Sequence, residues 1–69
     1  MLAKRLKELR KINNVTQKQT AASINITERN YQRLEAGEKP NYDNLIALAD
    51  YFDVSLDYLV GRSDEPERR

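Results

Sequence analysis

Five side chains with strong hydrogen-bonding capacity lie close together near the middle of the chain. They are Glu28, Arg29, Asn30, Gln32 and Arg33. Arginine can donate two hydrogen bonds to O6 and N7 of guanine, asparagine or glutamine can pair with adenine, and glutamate can accept from N4 of cytosine. The same residue types also cover the solvent-facing side of ordinary amphipathic helices. Which of these two interpretations holds, base recognition or an ordinary solvent-exposed helix face, depends on the secondary-structure elements that position this run.

The composition excludes several kinds of chemistry. The chain has 69 residues and contains neither cysteine nor histidine. Disulfides, the usual zinc ligand sets and Ser-His or Cys-His nucleophile pairs are therefore excluded. A domain of this size also has little room for the substrate cleft that an enzyme using paired carboxylates would need. We therefore expect a protein that is not an enzyme and needs no cofactor.

The apolar pattern argues against a membrane protein. No apolar run approaches the roughly 20 residues that a membrane-spanning helix needs. Lys4, Arg5 and Lys7 interrupt any signal-peptide core near the N-terminus. We expect a cytoplasmic protein with no membrane partner.

The net charge of +1 hides an uneven distribution. Residues 1–39 contain nine basic and four acidic side chains, a balance of +5, whereas residues 40–69 contain three basic and seven acidic ones, a balance of −4. Such asymmetry can indicate an anionic partner on one side of the molecule. A solvated helical surface with uneven charges explains it equally well.

Apolar spacing and capping residues predict five short helices joined by short turns. Leucines recur at helical spacing in the first helix, which Asn13 and Asn14 end. Gly37 and Gly61 end the third and fifth helices. The predicted N-caps of the last four helices are Thr16, Thr27, Asn41 and Ser55. We therefore predict a compact all-α, five-helix domain over residues 1–61 and a polar, flexible tail over residues 62–69.

The second and third helices are separated by the short turn Asn25-Ile26-Thr27. So short a link makes the helices cross steeply, and asparagine is the best non-glycine residue for a left-handed turn position. This is the helix-turn-helix arrangement, here over about residues 16–37. Its second helix lies in the DNA major groove, which favours base recognition by the polar run.

The ordered set of residues resembles the lambdoid phage repressor and Cro (XRE-type) family of helix-turn-helix transcriptional regulators. The resemblance covers about residues 2–61 without gaps. It rests on Thr16-Gln17, Ala21, Ile24, Ile26-Thr27, Leu34-Glu35-Ala36-Gly37 and the stretch from Leu45 to Gly61. The sequence departs from the family where a leucine, a glycine and a small aliphatic residue are usual, at Thr20, Asn25 and Tyr31. Tyr31 could shift the recognition helix slightly in its groove.

The resemblance implies a set of DNA-contacting residues. Base recognition would fall on Glu28, Arg29, Asn30, Gln32 and Arg33, and contacts to the DNA backbone on Gln17, Lys39, Asn41 and Tyr42. Free amides at a helix N-terminus attract anions, which supports Gln17 independently. Glu28 could equally act by repelling phosphate at wrong sites, and Tyr42 could equally be a packing residue.

The resemblance also implies two structural features. Arg10 and Glu35 match an ion pair that bridges the first and third helices. Family members often dimerise near the fifth helix, where Leu56, Tyr58 and Val60 are candidate dimer contacts.

We therefore expect a sequence-specific double-stranded DNA-binding transcriptional regulator, a repressor that binds a palindromic operator as a homodimer. The alternative is an antitoxin or protein-docking module of a toxin–antitoxin or phage/mobile-element control system, with a toxin or anti-repressor protein as its partner. Its surface would be the acidic set Asp43, Asp50, Asp53 and Asp57. Helix capping and solubility explain those charges without a partner.

Overall fold

The computed structural model describes residues 1–68 and confirms the predicted all-α fold. Five helices follow one another in this range, and no strand is present in it. They are α1 (Leu2–Asn13), α2 (Gln17–Ser23), α3 (Glu28–Glu35), α4 (Tyr42–Phe52) and α5 (Leu56–Leu59). None of the helices in residues 1–68 is long and apolar enough to span a membrane.

Side-chain caps begin four of these helices. The hydroxyl of Thr16 accepts a hydrogen bond from the backbone N–H of Gln19 at 3.0 Å, and the Gln19 side chain accepts from the N–H of Thr16 at 2.8 Å. This reciprocal pair is a capping box, which satisfies two free amides of the first turn. The side chains of Thr27, Asn41 and Ser55 each accept one N–H in the first turn of α3, α4 and α5.

The core is built from buried side chains of all five helices, including Ala21 of α2, and α2 packs against α3. Leu6, Tyr31, Leu48 and Leu59 have no exposed surface. Tyr31 therefore points into the core rather than toward a partner. Thr20 is equally buried, and its hydroxyl donates to the carbonyl oxygen of Thr16 at 2.9 Å, so its polar atom is satisfied.

The turn between α2 and α3 has the conformation that the sequence predicts. Asn25 adopts a φ of 61°, in the left-handed region. Ile26 is half-buried, and its N–H donates to the carbonyl oxygen of Ala21 at 3.0 Å, which closes the end of α2. The turn therefore fixes α3 relative to α2 through backbone geometry and a partly buried side chain.

The residues after Gly61 fold back against the end of α4 and the start of α5. The N–H of Ser55 donates to the carbonyl oxygen of Pro66 at 3.0 Å. Arg68 lies 2.5 Å from Asp50 and 3.7 Å from Asp53, measured between charged atoms. These contacts tie the described part of the predicted flexible tail to the domain, and Arg69 lies outside the described residues.

Candidate nucleic-acid interface

The outer face of α3 presents the polar side chains of residues 28–33. Its inner face is anchored by Tyr31 and Leu34, which are 0% and 5% exposed. Glu35, the last residue of the helix, is also buried, and the other five positions lie on the solvent-facing side. The exposed residues are Glu28, Arg29, Asn30, Gln32 and Arg33.

No ion pair within residues 1–68 neutralises the cations on and just after α3. In residues 1–68, the ion pairs join Arg5 to Asp64, Arg10 to Glu35, and Arg68 to two aspartates. None of them involves Arg29, Arg33 or Lys39. Their charges are therefore available to an anionic partner.

Arg10 and Glu35 form a two-pronged ion pair between α1 and α3. Nε of Arg10 lies 2.5 Å from Oε2 of Glu35, and Nη2 lies 2.9 Å from Oε1. The Glu35 side chain is 3% exposed and that of Arg10 is 19% exposed. Burial opposes ionisation of Glu35, but the polar groups around the carboxylate, with the hydrogen bond from Arg10 foremost, outweigh it, so the pKa of Glu35 is lowered.

Gln17 joins this pair to the outer face of α3. Its side-chain amide Nε2 donates to Oε1 of Glu35 at 3.1 Å, and its Oε1 accepts from Nε2 of Gln32 at 3.4 Å. Gln17 is half-buried, so it is not a freely solvated helix former. No signal in the sequence predicts these contacts, since spacing along the chain does not place the start of α2 against the end of α3.

The hydroxyl of Tyr31 lies beside the same ion pair. It is buried and has no hydrogen-bond partner of good geometry among the described residues. Burial and the neighbouring negative charge of Glu35 raise the pKa of Tyr31 well above its ordinary value of 10.0. The ring is therefore neutral at physiological pH.

The loop after α3 carries the predicted backbone-contacting residues. Lys39 is exposed, and Asn41 caps α4 by accepting from the N–H of Asn44 at 2.8 Å. Tyr42 is 73% exposed, so it is not a packing residue of α4. A crevice of about 250 Å³ separates this loop from α3 and is lined in part by Asn30, Arg33, Lys39 and Asn41.

The predicted dimer contacts lie on and beside α5, where each is half-buried: Leu56, Tyr58 and Val60. The guanidinium of Arg5 lies 3.9 Å from the centre of the Tyr58 ring. One face of this ring is therefore engaged within the chain, an intramolecular contact that sequence reasoning missed.

Of the four aspartates that the alternative protein-docking function would use, two form ion pairs within the described residues. Asp43 and Asp57 are exposed, whereas Asp50 and Asp53 pair with Arg68. No group of three acidic side chains in residues 1–68 is arranged to hold a metal ion.

The fold and the site together define a helix-turn-helix domain. The second helix of its motif, α3, has a buried inner face and a polar outer face. The helix-turn-helix family model matches residues 6–59. The chain therefore belongs to the helix-turn-helix family, and its predicted resemblance to the phage repressor and Cro type is confirmed. Members of this family are DNA-binding transcriptional regulators, not enzymes.

Named relatives agree with this assignment. The uncharacterized HTH-type transcriptional regulator YobD of Bacillus subtilis is 41% identical over 68 residues, which are 97% of this chain and 61% of the relative. The cryptic phage CTXphi transcriptional repressor RstR of Vibrio cholerae is 40% identical over 62 residues, which are 88% of this chain and 55% of the relative. This chain thus spans little more than half the length of the relatives it matches.

A solved structure supports the fold. The crystal structure of a transcriptional regulator from Listeria innocua superposes with a TM-score of 0.83 at 35% identity, over 88% of this chain and 58% of that chain. The match covers most of the domain, so the arrangement of the helices is shared by an experimentally determined relative.

Proposed function

We propose that this chain is a sequence-specific double-stranded DNA-binding transcriptional repressor that places α3 in the major groove. The observation that carries the proposal is the exposed polar face of α3 on a helix locked in place by buried Tyr31 and Leu34. A helix fixed to the core by its inner face suits base recognition because it brings the donors and acceptors of its outer face to the groove from a set position.

The base-reading roles follow from side-chain chemistry. Arg29 and Arg33 suit guanine, because each can donate two hydrogen bonds to O6 and N7. Asn30 and Gln32 suit adenine, while Glu28 suits cytosine N4 or rejects phosphate at wrong sites.

Contacts to the DNA backbone are assigned to the loop after α3. Lys39 and Tyr42 are exposed there, and Asn41 lies at the N-terminus of α4, where free amides favour an anion. Such contacts fix the position of the protein on the duplex and carry no sequence information.

The proposed assembly is a homodimer formed near α5, with Leu56, Tyr58 and Val60 as contacts. Two copies related by a two-fold axis would bind a palindrome with half-sites about 34–36 Å apart. Repression is supported by RstR, which is named a transcriptional repressor. A bound dimer would block RNA polymerase sterically, and this requires the cytoplasmic location that the sequence predicts.

Selection of bound duplexes from a random DNA library, followed by a salt titration of the selected sequence, tests the proposal. We expect an enriched palindrome. The Arg29→Ala/Arg33→Ala variant should lose the enrichment, whereas Arg62→Ala, which removes an exposed arginine outside α3, should keep it. Affinity for any duplex without enrichment, falling steeply with salt, would contradict sequence-specific recognition.

The oligomeric state is tested separately by measuring the mass of the protein free and on the selected operator. We expect two copies per operator, and Leu56→Asp should reduce binding to a full palindrome more than to a half-site. One copy on a saturated palindrome would rule out the dimer while leaving DNA recognition intact.

A further inference from the structure

We propose that residues 62–68 form a displaceable strap over the dimer face beside α5, so that a second copy of this chain binds there only after the strap has been released. The inference rests on the homodimer of the proposed function and names the element that regulates it. It is carried by hydrogen bonds and ion pairs between the strap and the domain, which lie next to the residues assigned to the dimer.

The strap turns back along α5 as soon as that helix ends. The backbone N–H groups of Arg62 and Ser63 both donate to the carbonyl oxygen of Asp57, at 2.7 and 3.2 Å. Gly61, which precedes them, has a φ of 86°, a conformation that glycine adopts without steric penalty. The chain therefore reverses its direction at the end of α5 and runs back toward the start of the same helix.

The far end of the strap is held at the start of α5 and the end of α4. The N–H of Ser55 donates to the carbonyl oxygen of Pro66 at 3.0 Å. The guanidinium of Arg68 pairs with the carboxylates of Asp50 and Asp53. A basic side chain of the strap thus meets the acidic end of α4.

The middle of the strap is held by an ion pair of the opposite polarity. The carboxylate of Asp64 accepts a hydrogen bond from Arg5 at 3.1 Å, and the same guanidinium lies over the ring of Tyr58. Since Tyr58 is a candidate dimer contact, only the side chain of Arg5 separates it from the strap. An anion facing Arg5 and a cation facing two aspartates together fix the direction of the strap along α5.

The strap also borders Leu56, another candidate dimer contact. A crevice of about 620 Å³ is lined by Leu56 and Asp57 of α5 and by Glu65, Glu67 and Arg68 of the strap. A second copy that packed against Leu56 would enclose charged side chains of the strap, and burying charges in an apolar interface is unfavourable. The docked strap and the dimer are therefore mutually exclusive at this face.

The attachment of the strap is weak enough to be reversed. No residue of the strap belongs to the hydrophobic core of the described chain. The carboxylates of Asp53 and Asp64 are exposed, and exposed ion pairs stabilise little and are screened by salt. Each dimer must displace one strap from each of its two protomers, so the docking equilibrium lowers the affinity of the dimer twice.

Charge-reversing variants of the full chain test the strap. Arg68→Glu places a negative charge beside Asp50 and Asp53, and Asp50→Arg places a positive charge beside Arg68. The double variant Asp50→Arg/Arg68→Glu restores a pair of opposite charges in reversed order. Arg62→Glu is the matched control, since it makes the same change of charge at an exposed strap residue that forms no ion pair within residues 1–68.

Two measurements are made on each variant. Analytical ultracentrifugation gives the dissociation constant of the dimer. Hydrogen exchange of the Ser55 amide, measured at a concentration where the protein is monomeric, reports whether the strap is docked, because this N–H donates to Pro66.

We expect Arg68→Glu and Asp50→Arg each to lower the dimer dissociation constant by about tenfold, since an exposed ion pair favours docking by about threefold in each of two protomers. The Ser55 amide should exchange faster in both variants. The double variant should return toward the unaltered protein, and Arg62→Glu should resemble it. Adding Leu56→Asp to Arg68→Glu should abolish the gain, which would assign the released dimer to α5.

The proposal is overturned if Arg68→Glu and Asp50→Arg leave the dimer dissociation constant unchanged or raise it. An unchanged value would mean that the strap lies outside the interface, and a raised value would mean that the strap is part of it. The proposal is also overturned if the unaltered protein and every variant stay monomeric. If Arg68→Glu does not fold, as judged by its thermal unfolding, Asp50→Arg decides alone.

The proposed DNA recognition is tested apart from the strap. Binding of the monomer to a single operator half-site uses α3 and should be the same for Arg68→Glu and the unaltered protein. If the unaltered protein selects no DNA sequence, sequence-specific recognition fails, while the dimer dissociation constants still decide the role of the strap.

Discussion

At the scale of single residues, the buried carboxylate of Glu35 lies next to side chains from α1, α2 and α3. It receives two hydrogen bonds from Arg10 and one from Gln17, and the ring of Tyr31 lies beside it. A buried charge with good partners stabilises little relative to an apolar core, but removing one partner leaves the other uncompensated. The cluster therefore makes the relative placement of three helices sensitive to single substitutions.

The Arg10→Met variant should be strongly destabilised. The free energy of unfolding should fall by about 3 kcal/mol, because Glu35 would keep its charge without its main partner. Urea unfolding measures this change. Arg29→Met, on the exposed face of α3, should unfold like the unaltered protein. Base preference of folded Arg10→Met should be unchanged, so altered preference at unaltered stability would refute the structural role of Arg10.

Glu35 should also make stability depend on pH in the acid range. Because its pKa in the folded state lies below the ordinary value of 4.5, the unfolded state binds a proton first. Its contribution is therefore present above pH 4.5 and is lost as the pH falls through the lowered pKa. Glu35→Gln should be less stable at neutral pH and should lose less stability on acidification. Parallel acid unfolding curves would contradict this.

Tyr31→Phe should stabilise the protein by about 1 kcal/mol, since it removes a buried hydroxyl without a partner. Because the pKa of Tyr31 is raised in the folded state, the unfolded state loses the Tyr31 proton more readily. The contribution of the neutral side chain to stability is therefore complete below pH 10.0 and is lost as the pH rises toward the folded-state pKa. Tyr31→Phe should therefore also resist alkaline unfolding better. Thermal unfolding at neutral and alkaline pH measures both effects. Lower stability of Tyr31→Phe would instead indicate a hydrogen bond from the hydroxyl to Glu35.

At the scale of elements, the turn between α2 and α3 determines how the polar face of α3 is presented. Asn25 holds a left-handed φ of 61°, and Thr27 then caps α3 by accepting from the N–H of Asn30 at 3.1 Å. These two residues end one helix and begin the next within a very short stretch. The presentation of α3 therefore depends on local backbone conformation as well as on the core.

Substitutions at Asn25 should separate the contribution of the backbone conformation in the turn from that of the core. Asn25→Gly should be close to neutral, because glycine adopts positive φ without a steric penalty. Asn25→Ala should lower the free energy of unfolding by about 1 kcal/mol, because alanine lacks the short polar side chain whose local hydrogen bonding makes the left-handed region accessible to asparagine. Chemical unfolding of both variants gives the comparison, with Ala22→Gly as a control for an exposed helical site. Equal stability of Asn25→Ala and the unaltered protein would mean that the turn relaxes.

Local signals predicted the helices well because capping and turn chemistry act over a few residues. The caps at Thr16, Thr27, Asn41 and Ser55 and the left-handed Asn25 all follow from residue type and near neighbours. The left-handed Asp53, with a φ of 55°, was not predicted, because the left-handed residue that ends a helix is usually glycine and sometimes asparagine.

Contacts between distant segments could not be predicted in the same way. The bonds of Gln17 to Glu35 and Gln32 depend on how α2 crosses α3, which sequence spacing does not specify. The contacts of Arg68 with Asp50 and Asp53 depend on the path of the chain after Gly61. For Arg10 and Glu35, it was family resemblance and not local pattern that suggested a pair.

At the scale of the whole molecule, the uneven charge has a structural counterpart. Arg29, Arg33 and Lys39 are exposed on and after α3, whereas part of the acidic surface on α4 is neutralised by Arg68. Glu28 and Glu38 are exposed there too, so three cations against two anions leave a balance of +1 near α3, which should attract the anionic duplex within about one Debye length, near 8 Å at physiological salt.

Two substitutions should divide this attraction into its specific and nonspecific parts. Arg29→Ala should weaken operator binding by about 1–3 kcal/mol and relax one base-pair position. Lys39→Ala should weaken all duplexes evenly and reduce the slope of log affinity against log salt by about one. Binding isotherms on operator and random duplexes at several salt concentrations provide the measurement. Changed base preference in Lys39→Ala would contradict the division.

The close approach of the first residue to Gly61 has a further consequence. A Cβ at Gly61 would lie only 2.0 Å from Cγ of Met1, so the beginning of the chain is seated against the end of α5. Arg5 and Asp64 meet nearby at 3.1 Å. Residues 1 and 61 therefore lie side by side, although all five helices separate them along the chain. Joining residue 61 to residue 1 by a short peptide and opening the exposed loop at Glu38 and Lys39 should give a circularly permuted form of residues 1–61 with the same core.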